Sequence, residues 1–175
     1  DETHYRLPQD VAFLPNGMFL VGDGLGGNNR IVVRNAAGTY RSEFGEGGNA
    51  DHQFASVHSL SMGPEQRLYA LDRDKRDVKV FRQTAALDSA DYPNYEYETT
   101  WTGVDLPLDI TVSDNAAWVT DIRPPKVVKY NLDGVQEYTW LLPTEGPDMW
   151  IEMHSLSPDE DGNLYGPDKQ AGRPQ

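Results

Sequence analysis

The sequence predicts an all-β protein, a β-propeller with about four blades of which the last is unfinished. The first observation behind this is a phrase written four times: an apolar run, a turn, a second apolar run and an acidic turn. It reads Pro8-Gln9-Asp10-Val11-Ala12 then Met18 to Asp23, and Ser56-Val57-His58-Ser59-Leu60-Ser61 then Arg67 to Asp72. It returns as Pro107-Leu108-Asp109-Ile110-Thr111 then Ala117 to Asp121, and as Met153-His154-Ser155-Leu156-Ser157 then Asn163 to Asp168. The second observation is the period. The opening residues Gln9, His58, Leu108 and His154 lie 49, 50 and 46 apart, and the closing acids Asp23, Asp72, Asp121 and Asp168 lie 49, 49 and 47 apart. A repeat of that length means a stacked or radial array of small units. A β-sandwich with rhythmic strands is the alternative. The third observation is that no convincing stretch has helical periodicity.

Each element follows from local chemistry. His4 to Leu7 alternates weakly and is a candidate edge strand. Asp10 to Leu14 is a strand ended by Pro15-Asn16-Gly17, a tight-hairpin signal, and Met18 to Val21 returns. Gly22 to Asn29 is too rich in glycine for regular structure. Arg30 to Arg34 and Thr39 to Phe44 complete a four-stranded meander, the form of one propeller blade. In the second copy Asp77 to Phe81 is the third strand and Tyr95 to Trp101 the fourth, with Gln83 to Asn94 as an inserted surface loop. The third copy adds Lys126 to Tyr130 and Val135 to Leu141. The fourth supplies two strands, and Arg173 stands where Arg30 does, at the start of a third. The expected blades are 8–50, 51–102, 103–145 and 146–175. An unfinished blade leaves a sheet edge open, so the missing blades are expected from a longer chain or a second copy.

The chain has 175 residues, 38% of them apolar, with 16 Gly and 12 Pro. That suits one turn-rich domain with a real core. Fifteen basic against 28 acidic residues give a net charge of −13, which repels phosphate backbones and argues against a nucleic-acid partner. The absence of cysteine excludes disulfides, thiolate metal sites and a cysteine nucleophile. No stretch is long and apolar enough for a membrane span. The expected compartment is secreted, periplasmic or extracellular, with a processed chain starting near Asp1.

Pro8-Gln9-Asp10-Val11-Ala12, Asn16-Gly17, Val21-Gly22-Asp23-Gly24, Asn29-Arg30-Ile31-Val32 and Gly38 together resemble the NHL repeat, over nearly the whole chain. Within that class, Gly45-Glu46, Gln53-Phe54 and the two His-Ser-Leu motifs resemble the peptidyl-hydroxyglycine α-amidating lyases and their bacterial relatives. The resemblance implies a six-bladed ring with zinc on its axis, held by three histidines from alternate blades. Blades two and four would then lie about 120° apart, making His58 and His154 two of the zinc ligands, with the third in a blade preceding residue 1. It further implies cleavage of a carbinolamide C–N bond. Three departures weigh against activity: Leu25 occupies the family's tyrosine position, Ser155 replaces a calcium-binding aspartate, and the family's arginine belongs to a blade outside this chain. The alternative is a non-catalytic propeller that binds a protein, peptide or glycan on its loop face.

The remaining candidates are weighed by residue. His58 and His154 share one repeat position, which suits a metal site as well as polar channel lining. Asp10 and Asp109 stand beside the channel position where histidine is lacking, with Gln9 as a secondary channel residue, and could assist a cation. Asp23, Asp72, Asp121 and Asp168 recur at one place in every blade and read as structural turn acids. Arg30, Arg76 and Lys126 are expected to start third strands and pair with those acids. His4 and His52 read as surface, as does Asp72-Arg73-Asp74-Lys75-Arg76-Asp77. Trp101, Trp118, Trp140 and Trp150 are expected between blades, Trp150 with a ligand pocket as its alternative. Asp159-Glu160-Asp161-Gly162 has acidic density for weak calcium binding.

Overall fold

The computed structural model describes residues 4–84, 94–113, 115–146, 149, 152–159, 161–168 and, for the backbone only, 173–174. Three complete antiparallel meanders follow one another. The first contains β1 (Asp10–Phe13), β2 (Phe19–Asp23), β3 (Arg30–Arg34) and β4 (Tyr40–Phe44). The second contains β5 (Val57–Met62), β6 (Leu68–Asp72), β7 (Asp77–Gln83) and β8 (Tyr95–Trp101). The third contains β9 (Pro107–Ser113), β10 (Ala116–Ile122), β11 (Pro125–Asn131) and β12 (Gln136–Leu141). The fourth blade is partial and holds two short two-stranded sheets: β13 (Ser157–Pro158) pairs with β14 (Leu164–Tyr165), and β15 (Pro167–Asp168) with β16 (Arg173–Pro174). The first strands β1, β5, β9 and β13 are consecutive neighbours. This is the hub of an incomplete β-propeller.

Alternation explains why the blades stack. Along β6, Leu68 and Ala70 enter the cluster shared with the first blade, beside Leu20, Ile31 and Val33. Tyr69 and Leu71 point the other way, against Ile110, Val119 and Val128 of the third blade. Successive strand side chains face opposite ways, so a strand between two blades is apolar on both faces and loses the polar alternation of a one-sided sheet. Outer strands keep it, and β12 leaves Tyr138, Trp140 and Leu141 exposed. Trp101 is buried between Tyr69 and Tyr130, at ring distances of 5.1 and 5.7 Å. Trp118 packs at the junction of blades three and four. Trp140 lines a cavity of about 280 Å³ there. Trp150 lies outside the described residues.

Blade one meets blade two without clearance. A Cβ on Gly24 would sit 2.2 Å from the Val57 carbonyl oxygen, so only glycine admits that approach. Gly134, with φ of +82°, passes under the Trp101 ring in the β11–β12 hairpin.

Several expectations change. Residues 4 to 7 form no edge strand, with bends at Arg6 and Leu7, because the Arg6 and Leu7 N–H groups are taken by the Asp23 carboxylate. Arg76 precedes β7 in a left-handed turn with φ of +63°. Buried Lys79 supplies that blade's cation, paired with Asp77 at 2.8 Å and 5.8 Å from the centre of the Phe54 ring. The mixed-charge turn is not simply solvated: Asp72 and Asp77 are both buried. The inserted loop falls mainly on residues 85–93, outside the described residues.

Candidate functional site

Two of the four opening positions share one backbone device. Register runs from Val57 opposite Asp72 to Ser59 opposite Leu71, leaving His58 as an extra, bulged residue. Leu108 is extra in the same way between Pro107 and Asp109. Gln9 donates its N–H to the Gly22 carbonyl at 2.8 Å, just before Asp10 pairs with Gly22. In blade four Met153 faces Asp168, which puts His154 next. A bulge re-aims the side chain it carries, and here it turns the His58 imidazole toward that of His154. The rings of His58 and His154 are 5.5 Å apart, inclined by 44°. His4 and His52 are exposed elsewhere.

The two rings differ in their surroundings. His58 is 7% exposed, and its Nδ1 lies 2.6 Å from the Leu108 carbonyl oxygen. A carbonyl only accepts, so Nδ1 carries the proton and Nε2 keeps the lone pair. Burial pushes the His58 pKa below 6.5, against the pull of that hydrogen bond; the Arg73 and His154 charges push it further down. His154 keeps 40% of its side chain exposed, with Nε2 3.9 Å from the Glu152 carboxylate. Sequence reasoning misses Arg73 and the Leu108 carbonyl. Arg73 stands in a turn that looks like ordinary surface, and a backbone carbonyl carries no residue signal at all.

The closing acids are buried staples. Asp23 accepts from Arg6 and Leu7 N–H, Asp72 from Ala55 and Ser56, Asp121 from Asp105 and Leu106, and Asp168 from Glu152. Each ties the segment entering its blade to the end of the second strand. Arg30 and Lys126 add ion pairs to Asp23 and Asp121 at 3.3 and 3.4 Å. Asp159 has both oxygens engaged in its own hairpin, with Asp161 and Asn163 N–H on one and Asn163 and Tyr165 on the other.

Asp10 and Asp109 join neighbouring blades. Asp10 Oδ2 accepts Leu60 N–H at 2.8 Å, and Asp109 Oδ2 accepts Leu156 N–H at 2.7 Å. Ser59, in the blade between, accepts Ile110 N–H at 3.3 Å. The same contact therefore steps from blade to blade around the hub. Among the described residues, no group of three or more His, Cys, Asp or Glu side chains is placed to hold a metal. No described helix is long and apolar enough to cross a membrane.

Solved structures with this arrangement are propeller proteins, among them lyases and components of protein complexes. A streptogramin B lyase is 16% identical with a TM-score of 0.69, over 98% of this chain and 54% of its own. A catalytically inactive histidine-to-alanine variant of virginiamycin B lyase from Staphylococcus aureus, with quinupristin, is 17% identical with a TM-score of 0.68, over 97% and 51%. A nidogen/laminin complex aligns at 17% identity and a TM-score of 0.60, over 80% and 49%. The chain thus spans about half the length of these neighbours, and at such identities the likeness shows the fold alone. No family profile matches the sequence, and no curated protein matches it.

Proposed function

We propose that this chain carries part of the axial site of a lyase-like propeller, with His58 and His154 as two ligands of a zinc ion. The observation that carries this reading is the 5.5 Å separation of the two rings, which come from different blades. Zinc–nitrogen bonds of about 2 Å at a tetrahedral angle put ligand ring centres about 5 Å apart. The donor chemistry fits as well. The Leu108 carbonyl fixes the His58 ring through Nδ1, the outer-shell support that metal-binding imidazoles use. Burial and Arg73 favour the neutral form that a ligand needs. These residues provide two of three protein ligands.

When bound, zinc would act as a Lewis acid toward a substrate hydroxyl. For a carbinolamide the hydroxyl proton leaves, the C–O bond becomes a carbonyl, the C–N bond breaks and the amide nitrogen takes up a proton. His58 orients and stays neutral, while His154, open on one side, borders the space where substrate enters. A neighbouring lyase whose histidine-to-alanine variant is inactive supports a histidine-dependent lyase reaction on this fold.

A second reading has its own observation. Leu25, where the resembled lyases carry tyrosine, presents a 38% exposed apolar side chain. That favours a non-catalytic module binding protein, peptide or glycan on the loop face. Metal analysis separates the two. The first reading expects about one zinc per protein, lost in both His58→Ala and His154→Ala, together with cleavage of a peptidyl-hydroxyglycine. A folded protein without zinc in any form overturns it and leaves the binding module.

A further inference from the structure

The hub contains a proton count that does not close if every carboxyl is ionised. Ser59 Oγ lies 3.0 Å from Asp10 Oδ2 and 2.6 Å from Asp109 Oδ1. Both are hydrogen-bond distances, yet the hydroxyl supplies one hydrogen. Its oxygen also accepts Ile110 N–H. Ser59 is 2% exposed, so water does not replace a missing partner cheaply.

The surroundings say where the second hydrogen sits. Asp10 accepts backbone N–H on both oxygens, from Val11 on Oδ1 at 2.8 Å and from Leu60 on Oδ2. That suits a carboxylate and resists a neutral acid, whose O–H would face a donor. Asp109 accepts Leu156 N–H on Oδ2 at 2.7 Å, Ile110 N–H adds to the same carboxyl, and Oδ1 is the oxygen 2.6 Å from the Ser59 hydroxyl. We propose that Asp109 carries the shared proton and donates it to Ser59, which donates to Asp10, and that this directed chain positions His58. His58 immediately precedes Ser59, and Leu108, its ring partner, immediately precedes Asp109. The polar chain and the ring contact are therefore adjacent clamps between β5 and β9. Asp109 is a positioning residue.

The other ionisable groups are consistent with this assignment. From β1, the Asp10 charge adds to the desolvation that raises the Asp109 pKa, against hydrogen bonds from Ser59, Leu156 and Ile110. From β5, His58 lies on the same hub with its proton on Nδ1. The segment before β13 brings His154, 5.5 Å from His58. From β10, Thr120 Oγ1 accepts the Asp109 N–H, and Asp121 is occupied by Asp105 and Leu106 N–H. A carboxyl beside another carboxylate and short of water holds its proton to higher pH.

The inference does not depend on the zinc reading, so the test uses metal-free, chelator-treated protein. Asn reproduces a protonated aspartic acid: its NH₂ donates to Ser59 while its carbonyl accepts Leu156 N–H. The expected thermal midpoint of Asp109→Asn near neutral pH is at or above that of wild type. Asp10→Asn would aim an amide N–H at a backbone N–H and should lower the midpoint by roughly 4 °C or more. Sign also matters. A raised folded pKa gives stability that is present below the ordinary 3.8 and is lost as pH rises through the folded value. Asp109→Asn should therefore gain on wild type with rising pH and then level off. Carbon-13 titration of the wild-type carboxyls decides directly even if a variant fails to fold. Asp109 titrating above Asp10 supports the proposal. Asp109 titrating at or below Asp10, or Asp109→Asn being the more damaging variant at unchanged pH dependence, overturns it.

Discussion

The second and fourth blades carry the same words at the hub, His-Ser-Leu, and hold their histidines in different states. Around His58 the chain is closed: Leu108 takes Nδ1, Ser59 is tied to both neighbouring blades, and Asp72 collects three backbone N–H groups. Around His154 it is open: the ring is 40% exposed, Ser155 faces solvent, and β13 is two residues long. The motif thus fixes where the imidazole stands, and the next blade fixes its chemistry. A ring covered from both sides becomes neutral and immobile; one with water access can exchange partners. If the pair works together, His58 is the fixed member and His154 the adaptable one.

The largest expected effect tests whether the closed state is built by the staples. Asp72→Ala removes the acceptor for Ala55, Ser56 and Lys75 N–H inside a fully buried site. Leaving buried donors without a charged acceptor costs about 3–4 kcal/mol. Asp168→Ala, in the blade with two-residue strands, should cost about 1–2 kcal/mol by the same accounting. Urea unfolding midpoints measure both, and equal losses would erase the contrast between the blades.

The next effect concerns the rings themselves. His58→Ala opens a cavity and strips the Leu108 carbonyl of its donor, for a loss of about 2 kcal/mol. His154→Ala trims a part-exposed ring and should stay within about 0.5 kcal/mol. Chemical denaturation of metal-free protein reads this. A His154 variant as damaging as the His58 one would mean that the fourth blade is as closed as the second.

Much of this organisation is legible in the residues. Two markers at one period place the strands, because a blade needs its turn acid and its hub residue at fixed distances along the chain. Arg30 and Arg173 occupy matching places, opposite Asp23 and Asp168. Local pattern fails where a tertiary partner decides. His4 to Leu7 alternates like a strand, yet Asp23 claims its N–H groups. Lys79 sits inside an apolar strand and looks like an outward residue, until Asp77 and the Phe54 ring account for it. The residues of the hub hydrogen-bond chain stand in the sequence as Asp10, Ser59 and Asp109, one from each of three blades. Its meaning needs distances, since sequence spacing does not reveal that one hydroxyl touches two carboxyls.

The finest test of the contrast is its pH dependence. The folded pKa of His58 lies below 6.5, chiefly because burial disfavours the charged ring. Above 6.5 the folded and unfolded chains both hold it neutral, and its contribution to stability is fully present. Below 6.5 the unfolded chain takes a proton that the folded one refuses, so stability falls as pH drops toward the folded value. The slope from this one group cannot exceed about 1.4 kcal/mol per pH unit. Comparing unfolding free energies of metal-free wild type and His58→Gln across this range isolates the term. The variant should lose stability less steeply on acidification than wild type. A slope unchanged by His58→Gln would overturn the reading, because only a ring shielded from water on folding can refuse the proton.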